Sequence, residues 1–258
     1  MARGGAPASA TAGVVELDRE AILGLLARGR LEPVGRLVDA SNATLYCQLE
    51  GDPGTGIGAL TTGCVYKPIQ GEAPLSDFPD GTLAYREVSA YLVSEATGWG
   101  IVPPTVLRDG PFGTGMVQLW IETDPAVDLL ELARSDHPGL RRMALFDAVV
   151  NNADRKGGHL LPIPGGHVHG VDHGVCFAVE PKLRTILWGW RGAPLADDEC
   201  ETLTRLRLAL DGELGTRLRE LLAEREVAAT VARLDRLLRT RRFPLPDPLR
   251  PAIPWPPF

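Results

Sequence analysis

The residues from 151 to 177 constrain the fold of this chain more than any other stretch. Short apolar runs at 160–161 and 168–171 flank a turn rich in proline and glycine, a pattern that predicts a β-hairpin. A hairpin brings the loop before its first strand beside the loop after its second strand. Asp154 and Asp172, 18 positions apart, are therefore expected to face one small volume. Two carboxylates with an amide or imidazole nearby are typical of a magnesium site that water and substrate phosphate complete.

Hydrophobic periodicity predicts the elements on either side of this hairpin. A strong helix is expected at 82–97, closed by Gly98, with Glu87 at the edge of its buried face and Arg86 on the opposite side. An acid at the rim of a buried face needs a cationic partner. The other predicted elements are helices at 17–31, 127–133 and 140–150, strands at 34–39, 44–49, 64–67, 105–108 and 115–122, and two final amphipathic helices, one through Leu203 and Leu210 and one through Val227 and Leu238.

The composition limits the class of protein. A hydrophobic content of 44% supplies a core, and a net charge of −6 gives no general footprint for nucleic acid. No apolar run approaches the ~18 residues needed to cross a bilayer, and residues 1–13 lack the apolar segment of a signal peptide, so a disordered arm is expected there. The four cysteines are scattered and fit reduced thiols, which suits a cytoplasmic protein.

The two aspartates stand in sequence patterns that resemble a known enzyme family. Asp154 begins Asp-Arg-Lys-Gly-Gly-His, and Asp172 begins Asp-His-Gly. In phosphatidylinositol 3/4-kinases and their relatives in the protein-kinase-like superfamily, the catalytic loop has the pattern Asp-Arg-x-x-x-Asn and the metal loop has the pattern Asp-x-Gly. The chain is also similar to an uncharacterised branch of phosphatidylinositol-kinase-like proteins from high-G+C bacteria.

The resemblance implies an α+β, two-lobed protein-kinase-like fold. A small N-lobe of mixed sheet plus helix would bind nucleotide over residues 14–123, and a mainly helical, catalytic C-lobe would follow over residues 124–243. The composition becomes helical after residue 123, which places the boundary there. The tail at 244–258 carries seven prolines and is expected to be extended, with Trp255 and Phe258 as anchors that dock on the domain or on a partner.

The same resemblance implies roles for the residues of the hairpin unit. Asp154 matches the catalytic aspartate, Lys156 would neutralise phosphate charge, and Asp172 matches the metal-binding aspartate. His159 falls where the family has a metal-binding asparagine, and it is expected at the metal position. A neutral imidazole is a poorer magnesium ligand than an amide or carboxylate oxygen, so this departure bears on whether the site is active.

Lysine is rare in this chain, and Lys67 stands where the family carries its phosphate-binding lysine. Only Lys67, Lys156 and Lys182 are lysines among 27 basic residues, so the chain uses arginine by default. Lys67 ends a predicted strand directly before Pro68, and a compact ammonium suits a cluster of phosphates. Glu87 is expected to pair with Lys67 and to aim it at the phosphates.

Two further nucleotide contacts follow from position in the family and from no motif. Ser41 and Asn42 lie in a turn that would cover the phosphates, although the chain has neither a Walker pattern nor a Gly-x-Gly-x-x-Gly. Gln118 begins the stretch 118–122, which would form the hinge that meets the adenine edge. ATP and Mg²⁺ are the expected cofactors, and Mn²⁺ is an alternative metal.

The ordered set of parts predicts an ATP- and Mg-dependent kinase. It would transfer the γ-phosphate to a hydroxyl of an unidentified lipid, protein or small molecule, since these acceptors share the same catalytic parts. A second hypothesis is a pseudokinase, or a nucleotide-binding regulatory protein without phosphoryl transfer. A third is a hydrolytic zinc enzyme built on His159, His167, His169, Asp172 and His173, which lacks the helical His-Glu-x-x-His spacing.

Overall fold

The computed structural model describes residues 19–37, 42–51 and 60–258 of the chain. The predicted arm at 1–13 and the phosphate-loop candidate Ser41 lie outside these ranges. Within them the chain forms two lobes, an N-terminal antiparallel sheet with its helices and a C-terminal lobe that is mainly helical. This is the α+β, two-lobed architecture that the sequence predicts.

The N-terminal lobe is built on a five-stranded sheet with the order β1-β2-β3-β5-β4, and each neighbouring pair is antiparallel. Helix α1 (Arg19–Arg28) packs its buried Leu25 and Leu26 against one face of this sheet. The strands are β1 (Arg30–Arg36), β2 (Leu45–Glu50), β3 (Thr61–Pro68), β4 (Thr105–Gly110) and β5 (Gly113–Leu119).

The start of β1 differs from the sequence prediction, which extends the first helix to residue 31. The helix stops early because the backbone N–H of Gly29 closes its last turn on the carbonyl of Leu25. Pro33 follows four residues later, and a proline at that position cannot continue a helical ladder. The chain therefore turns back along the sheet, where Arg30 pairs with Glu50 and Leu31 enters the core.

Helix α2 (Leu83–Thr97) follows β3 and lies between the sheet and the C-terminal helices. Its end is where the sequence predicts it, because Gly98 adopts the left-handed conformation (φ 70°) that glycine tolerates. Nearly the whole helix is buried, since α2 contacts β4 and β5 on one side and C-terminal helices on the other. Any charged residue on α2 must therefore find a partner inside the protein.

The C-terminal lobe begins with α3 (Leu129–Arg134) and α4 (Pro138–Val150), and α4 is almost entirely buried. The predicted hairpin follows as β6 (Leu160–Pro162) and β7 (Val168–Gly170), which pair antiparallel. The sequence predicts two final helices, and the structure has three within the described residues. They are α5 (Asp197–Leu210), α6 (Glu213–Leu221) and α7 (Glu224–Thr240). Helix α6 was missed because it is short and charged and buries little besides Leu218.

The tail at 244–258 packs on the chain's own segments. The carbonyl of Ala252 accepts from the backbone N–H of Thr185 (3.0 Å) and from the indole N–H of Trp188 (2.8 Å). The carbonyl of Pro257 accepts from the N–H of Gly157 (2.8 Å), and the ring of Phe258 lies against that glycine. Trp255, in contrast, is 89% exposed. Of the two predicted anchors, Phe258 is docked on the domain.

No helix in the described part of the chain is long and apolar enough to cross a membrane. The four cysteines are buried and free, as expected of reduced thiols. Cys47 and Cys64 stand directly opposite each other on β2 and β3, a pairing that their separation in sequence does not reveal.

Candidate functional site

Lys67 is the centre of an ionic cluster between the two lobes. It lies near the end of β3, and its Nζ donates to Glu87 Oε1 (2.6 Å) and to Asp172 Oδ1 (2.9 Å). Glu87 lies on α2, 20 positions after Lys67, and Asp172 lies in the loop after β7, 105 positions after it. The lysine side chain retains 18% exposure, and the Asp172 side chain retains 49%. The cluster is therefore buried on the side of Glu87 and open on the side of Asp172.

The charges of this cluster reinforce one another. Burial lowers the pKa of the Lys67 ammonium, but the carboxylates of Asp172 and Glu87 outweigh it and raise that pKa above its ordinary value. The Lys67 ammonium in turn holds the pKa of the Asp172 carboxyl well below its usual range, against the effect of burial. Both groups are consequently ionised at neutral pH.

Glu87 connects this cluster to the backbone of the loop after the hairpin. Its side chain is 1% exposed, and while Oε1 accepts from Lys67, Oε2 accepts from the backbone N–H of His173 (2.8 Å). A carboxylate that holds both the lysine and the residue after Asp172 fixes the distance between them. The predicted Lys67–Glu87 pair is present in the structure, and its role toward a nucleotide stays a prediction.

Asp172 also faces His159. The residue has a positive φ of 63°, a left-handed conformation that is uncommon outside glycine, asparagine and aspartate. Asp172 Oδ2 lies 3.3 Å from His159 Nε2, while His159 Nδ1 accepts a long hydrogen bond from the backbone N–H of Lys156 (3.4 Å). With Nδ1 as the acceptor, the neutral ring carries its proton on Nε2 and directs it at Asp172.

The pKa of His159 is set by several neighbours. Burial lowers it below the ordinary histidine value, and the carboxylates of Asp172 and Asp154 act in the opposite direction. Both aspartates are therefore close enough to influence the same imidazole. The hairpin brings them to one region, as the sequence predicts.

Asp154 lies in the loop that follows α4 and pairs with Lys156. Helix α4 ends at Asn151, which adopts a left-handed conformation (φ 56°), and the amide oxygen of Asn152 then accepts from the N–H of Asp154 (2.9 Å). Lys156 Nζ lies 3.1 Å from Asp154 Oδ2. Both side chains keep about a quarter of their surface exposed, so the pair is accessible from the cleft.

A second network lies beneath this loop, and the sequence analysis missed it. Asp147 on α4 and Arg155 form a fork of two hydrogen bonds of 2.9 Å each, and both side chains are fully buried. Asn152 adds a third bond to Asp147 (3.0 Å). Arg155 also reaches His173 Nε2 (2.6 Å) and the carbonyl of Val171. The signal in the sequence was an aspartate within the apolar run 140–150, where an acid needs a buried partner.

His173 is held neutral by its surroundings. Burial is the main cause that lowers its pKa well below the ordinary value, and the charge of Arg155 adds to it. Because Arg155 can only donate, His173 Nε2 is the acceptor and the proton lies on Nδ1. That nitrogen is buried without a hydrogen-bond partner in the described part of the chain, and the ring stands edge-on to Phe146.

Arg86 corrects the sequence analysis, which placed it on the side of the helix opposite to the buried face. The side chain is 1% exposed, and it donates to Glu226 Oε1 on α7 (2.6 Å) and to the carbonyl of Cys176 (2.8 Å). Arg86 lies on a different side of α2 from Glu87, and C-terminal helices cover that side and exclude solvent from it. The neighbouring residues Arg86 and Glu87 thus tie α2 to two different regions.

The remaining nucleotide candidates do not join the cluster. The side-chain oxygen of Asn42 accepts from the N–H of Ala73 (2.7 Å), so it fixes the turn to a neighbouring loop. Gln118 is buried in β5, and its amide donates to the hydroxyl of Thr105 (2.8 Å). Their contacts with a nucleotide stay predictions, as does that of Ser41, which lies outside the described residues.

The acidic groups fit a divalent cation that a nucleotide helps to hold. The described residues contain no group of three or more His, Cys, Asp or Glu side chains arranged to bind a metal ion. Asp172 is ionised and half-exposed, and Mg²⁺ is commonly bound by one or two carboxylates together with phosphates and water. The zinc hypothesis is not supported, since the described residues contain no such ligand group and His173 Nε2 is already bonded to Arg155; His167 and His169 meet edge-on, with ring centroids 4.4 Å apart.

A comparison with known protein sequences finds a relative over nearly the whole chain. Protein Rv2133c of Mycobacterium tuberculosis is 44% identical over 269 aligned positions, which cover 91% of this chain and 94% of that protein. No protein-family model matches the chain.

Several solved structures share the fold of this chain, and two of the three described here are kinases. The Golgi casein kinase with Mn/ADP bound has a TM-score of 0.59 at 12% identity, covering 86% of this chain and 74% of that chain. A hydra Fam20 structure with sugar has a TM-score of 0.55 at 16% identity, with 88% and 90% covered. The Helicobacter pylori proinflammatory kinase CtkA has a TM-score of 0.51 at 13% identity, with 84% and 94% covered. The protein-kinase-like fold predicted from the sequence is confirmed.

Proposed function

This chain belongs to the family of the Mycobacterium tuberculosis protein Rv2133c, and we propose that it is a kinase-like phosphotransferase that uses ATP and a divalent cation. The observation that supports this most is the cluster of Lys67, Glu87 and Asp172 on a protein-kinase-like fold. A lysine paired to a helix glutamate and placed beside a loop aspartate is the arrangement that kinase folds use to hold phosphates and metal.

Each residue of the cluster has a part in this proposal. Lys67 binds phosphate oxygens of the nucleotide, and Glu87 positions it, since the acid is buried and fixed by His173. Asp172 and His159 would hold the cation, which supplies charge stabilisation at the phosphates when it is bound. Mg²⁺ is the proposed ion, and Mn²⁺, which is bound with ADP in the Golgi casein kinase structure, is the alternative.

Asp154 and Lys156 serve the acceptor side. Asp154 orients the acceptor hydroxyl and accepts its proton, a role that its partly exposed carboxylate allows. Lys156, 3.1 Å from Asp154 Oδ2, offsets negative charge at the phosphoryl group. Asn42, Gln118 and Ser41 complete the proposed nucleotide contacts.

The more specific elements of the proposal come from the sequence patterns. The phosphatidylinositol 3/4-kinase-like type rests on the Asp-Arg-x-x-x and Asp-x-Gly spacing around Asp154 and Asp172. We propose residues 14–123 as the nucleotide-binding lobe and 124–243 as the catalytic lobe, in a cytoplasmic protein. The acceptor is a hydroxyl compound whose class the fold does not determine.

One observation favours the second candidate, a nucleotide-binding regulatory protein without phosphoryl transfer. The Nε2 proton of His159 faces Asp172, so as it stands this imidazole donates to the proposed metal ligand. It becomes a ligand itself only when that proton leaves. A chain that keeps the proton would bind nucleotide and yet lack the second metal position.

The proposal is tested first by binding. ATP with Mg²⁺ should raise the melting temperature, because a ligand of the folded state stabilises it, by about 2.7 kcal/mol at a concentration of 100 Kd. Lys67→Ala should abolish most of that rise. Arg239→Ala, which removes an equal charge from an exposed position on α7, should keep it. An unchanged rise in Lys67→Ala would show that the lysine does not bind phosphate.

Turnover then separates the two candidate functions. The protein is incubated with γ-labelled ATP and Mg²⁺ or Mn²⁺, first alone and then with lipid, protein and metabolite pools. Transfer of label that Asp154→Asn abolishes supports the phosphotransferase. ATP binding that depends on Lys67, without transfer to any pool, supports the regulatory protein.

A further inference from the structure

A cavity of about 1060 Å³ lies in the C-terminal lobe, away from the proposed nucleotide site. Its walls are the N-terminal part of the tail, helix α7 and the segment from 179 to 192 that follows the hairpin. Lys67, Glu87, Asp154 and Asp172 are not among its lining residues. Its volume is slightly above the range of about 300–1,000 Å³ that is usual for small-molecule sites.

The cavity is cationic in a chain that is acidic overall. Six basic residues and two acids line it, a net charge of +4, whereas the whole chain has a net charge of −6. The two acids are already engaged, because Asp77 pairs with Lys182 (2.8 Å) and Asp247 lies near Arg250 (3.7 Å). The other four basic residues are Arg184, Arg233, Arg236 and Arg242.

None of these four arginines forms a salt bridge with a carboxylate among the described residues. Arg233 donates to two backbone carbonyls and to the hydroxyl of Thr230, and Arg184 and Arg242 each donate to a backbone carbonyl. Arg236 is exposed and has no hydrogen bond or ion pair within the described ranges. Burial lowers the pKa of Arg233 to about 10, which indicates a guanidinium whose charge is incompletely compensated. Guanidinium groups in this state favour an anion with paired oxygens.

The rest of the lining is apolar. The tail contributes four prolines and Leu245, the segment from 179 to 192 contributes Val179, Leu183 and Trp188, and α7 contributes Leu237. A free inorganic anion would leave this surface in contact with water, whereas a hydrocarbon chain would cover it. The combination of an apolar lining and unpaired guanidinium groups therefore suits a molecule that has both a chain and a negative group.

We propose that this cavity binds an anionic amphiphile, a single hydrocarbon chain that ends in a phosphate or carboxylate group. The arginines hold the anionic group, and the prolines, Leu237 and Leu245 enclose the chain. Arg184 lines the cavity and donates to the carbonyl of Ala153, the residue before Asp154, so the site adjoins the back of the catalytic loop. The proposal does not depend on phosphoryl transfer by the cleft.

Binding is measured by calorimetry on the full chain, with probes kept below their micelle concentrations. Dodecyl phosphate and laurate should each bind once per chain, and the tighter of the two identifies the anionic group. Dodecyltrimethylammonium, a neutral dodecyl glycoside and chainless inorganic phosphate should each bind at least ~10-fold more weakly, because each lacks the charge-assisted hydrogen bonds or the apolar burial.

Two matched pairs of variants locate the site. Arg236→Ala should weaken binding of dodecyl phosphate by ~10-fold, and Arg239→Ala, one turn along α7 and outside the cavity, should leave it unchanged. Leu245→Glu should weaken it by a similar factor, and Leu249→Glu, also in the tail but not lining the cavity, should not. Leu245 and Leu249 are 71% and 91% exposed, so neither change should unfold the protein.

The outcomes that overturn the proposal are distinct. Absence of one-to-one binding by both anionic amphiphiles excludes the site. If the neutral glycoside binds as tightly as the anionic amphiphiles, the arginines have no role in binding. If both variants of a matched pair lose the same amount of affinity, the amphiphile binds outside this cavity. Tighter binding of an acidic peptide such as hepta-glutamate than of either amphiphile would show that the surface is built for a protein partner instead.

Discussion

The cleft network around Lys67 and the network beneath it around Arg155 each combine a basic residue, an aspartate and a histidine, but they differ in exposure. In the cleft, Asp172 retains half of its side-chain surface, and Lys67 is open on that side. Beneath it, Asp147 and Arg155 are fully buried and every contact of the pair is internal. Arg86 and Glu226 form a third pair that is nearly as enclosed as the second.

This difference separates groups that support the site from groups that can meet a ligand. A buried charge pair contributes little net stability but becomes costly when one partner is removed, because the other charge is left without compensation. A half-exposed charge can exchange its partner for water or phosphate at low cost. The buried pairs are therefore expected to control stability, and the cleft cluster is expected to control binding.

The largest effect should come from Asp147→Ala. The change leaves the Arg155 guanidinium buried without its carboxylate, which should lower the free energy of unfolding by about 3–5 kcal/mol. Asp172→Ala, in the cleft, should lower it by less than about 1 kcal/mol, since Lys67 keeps Glu87 and gains water. Urea denaturation of both variants tests the contrast, and equal losses would contradict it.

Arg86→Met should have the next largest effect. It leaves the Glu226 carboxylate buried and the carbonyl of Cys176 unpaired, at a cost of about 3 kcal/mol. The double variant Arg86→Met/Glu226→Gln removes the buried charge but keeps an oxygen for the N–H of Ala223, so it should recover at least about 1 kcal/mol. A double variant no more stable than the single one would show that packing of the arginine, and not its charge, is what matters.

Gly157→Ala should have an intermediate effect, at the place where the tail covers the loop after α4. A Cβ there would overlap the ring of Phe258, so the tail must shift, at an expected cost of about 1–2 kcal/mol. Gly158→Ala is the matched control, because nothing lies within 4 Å of its added Cβ. Hydrogen exchange at Thr185, whose N–H bonds to Ala252, should accelerate in the first variant only.

Restoration by Phe258→Ala in the Gly157→Ala background would identify the ring as the cause. Faster exchange at Thr185 in both glycine variants would instead point to a general effect on the loop.

His159→Asn should have the smallest effect on stability and sharpens the cleft side of the comparison. The side chain is mostly buried, but its contacts are one long hydrogen bond and the contact with Asp172. If His159 is a metal ligand, its replacement by an amide oxygen should lower the metal concentration needed for half-maximal turnover. The decrease should be larger for Mg²⁺ than for Mn²⁺, because Mg²⁺ prefers oxygen donors. Titration of both metals with both proteins is the measurement, and unchanged half-saturation for both would exclude the ligand role.

The sequence by itself determined the parts that depend on local chemistry. Backbone preferences explain the end of α2 at Gly98 and the proline-glycine turn of the hairpin. The 3.6-residue periodicity of apolar side chains explains α4. The Lys67–Glu87 pair was predicted from the rarity of lysine and the position of Glu87 on its helix face, together with the resemblance to kinases, which pair a lysine with a helix glutamate.

Only the tertiary structure decided which buried charges meet. Arg86 and Glu226 are 140 positions apart, and Asp147, Arg155 and His173 belong to three different segments. Periodicity gives the face of the helix on which a side chain lies but not the element that covers that face. Arg86 was therefore expected to lie opposite the buried face, whereas it is itself buried. The aromatic residue Phe258 marked the tail as a docking segment, but its contact sites at Gly157 and Thr185 use backbone hydrogen bonds, which leave no pattern in the sequence.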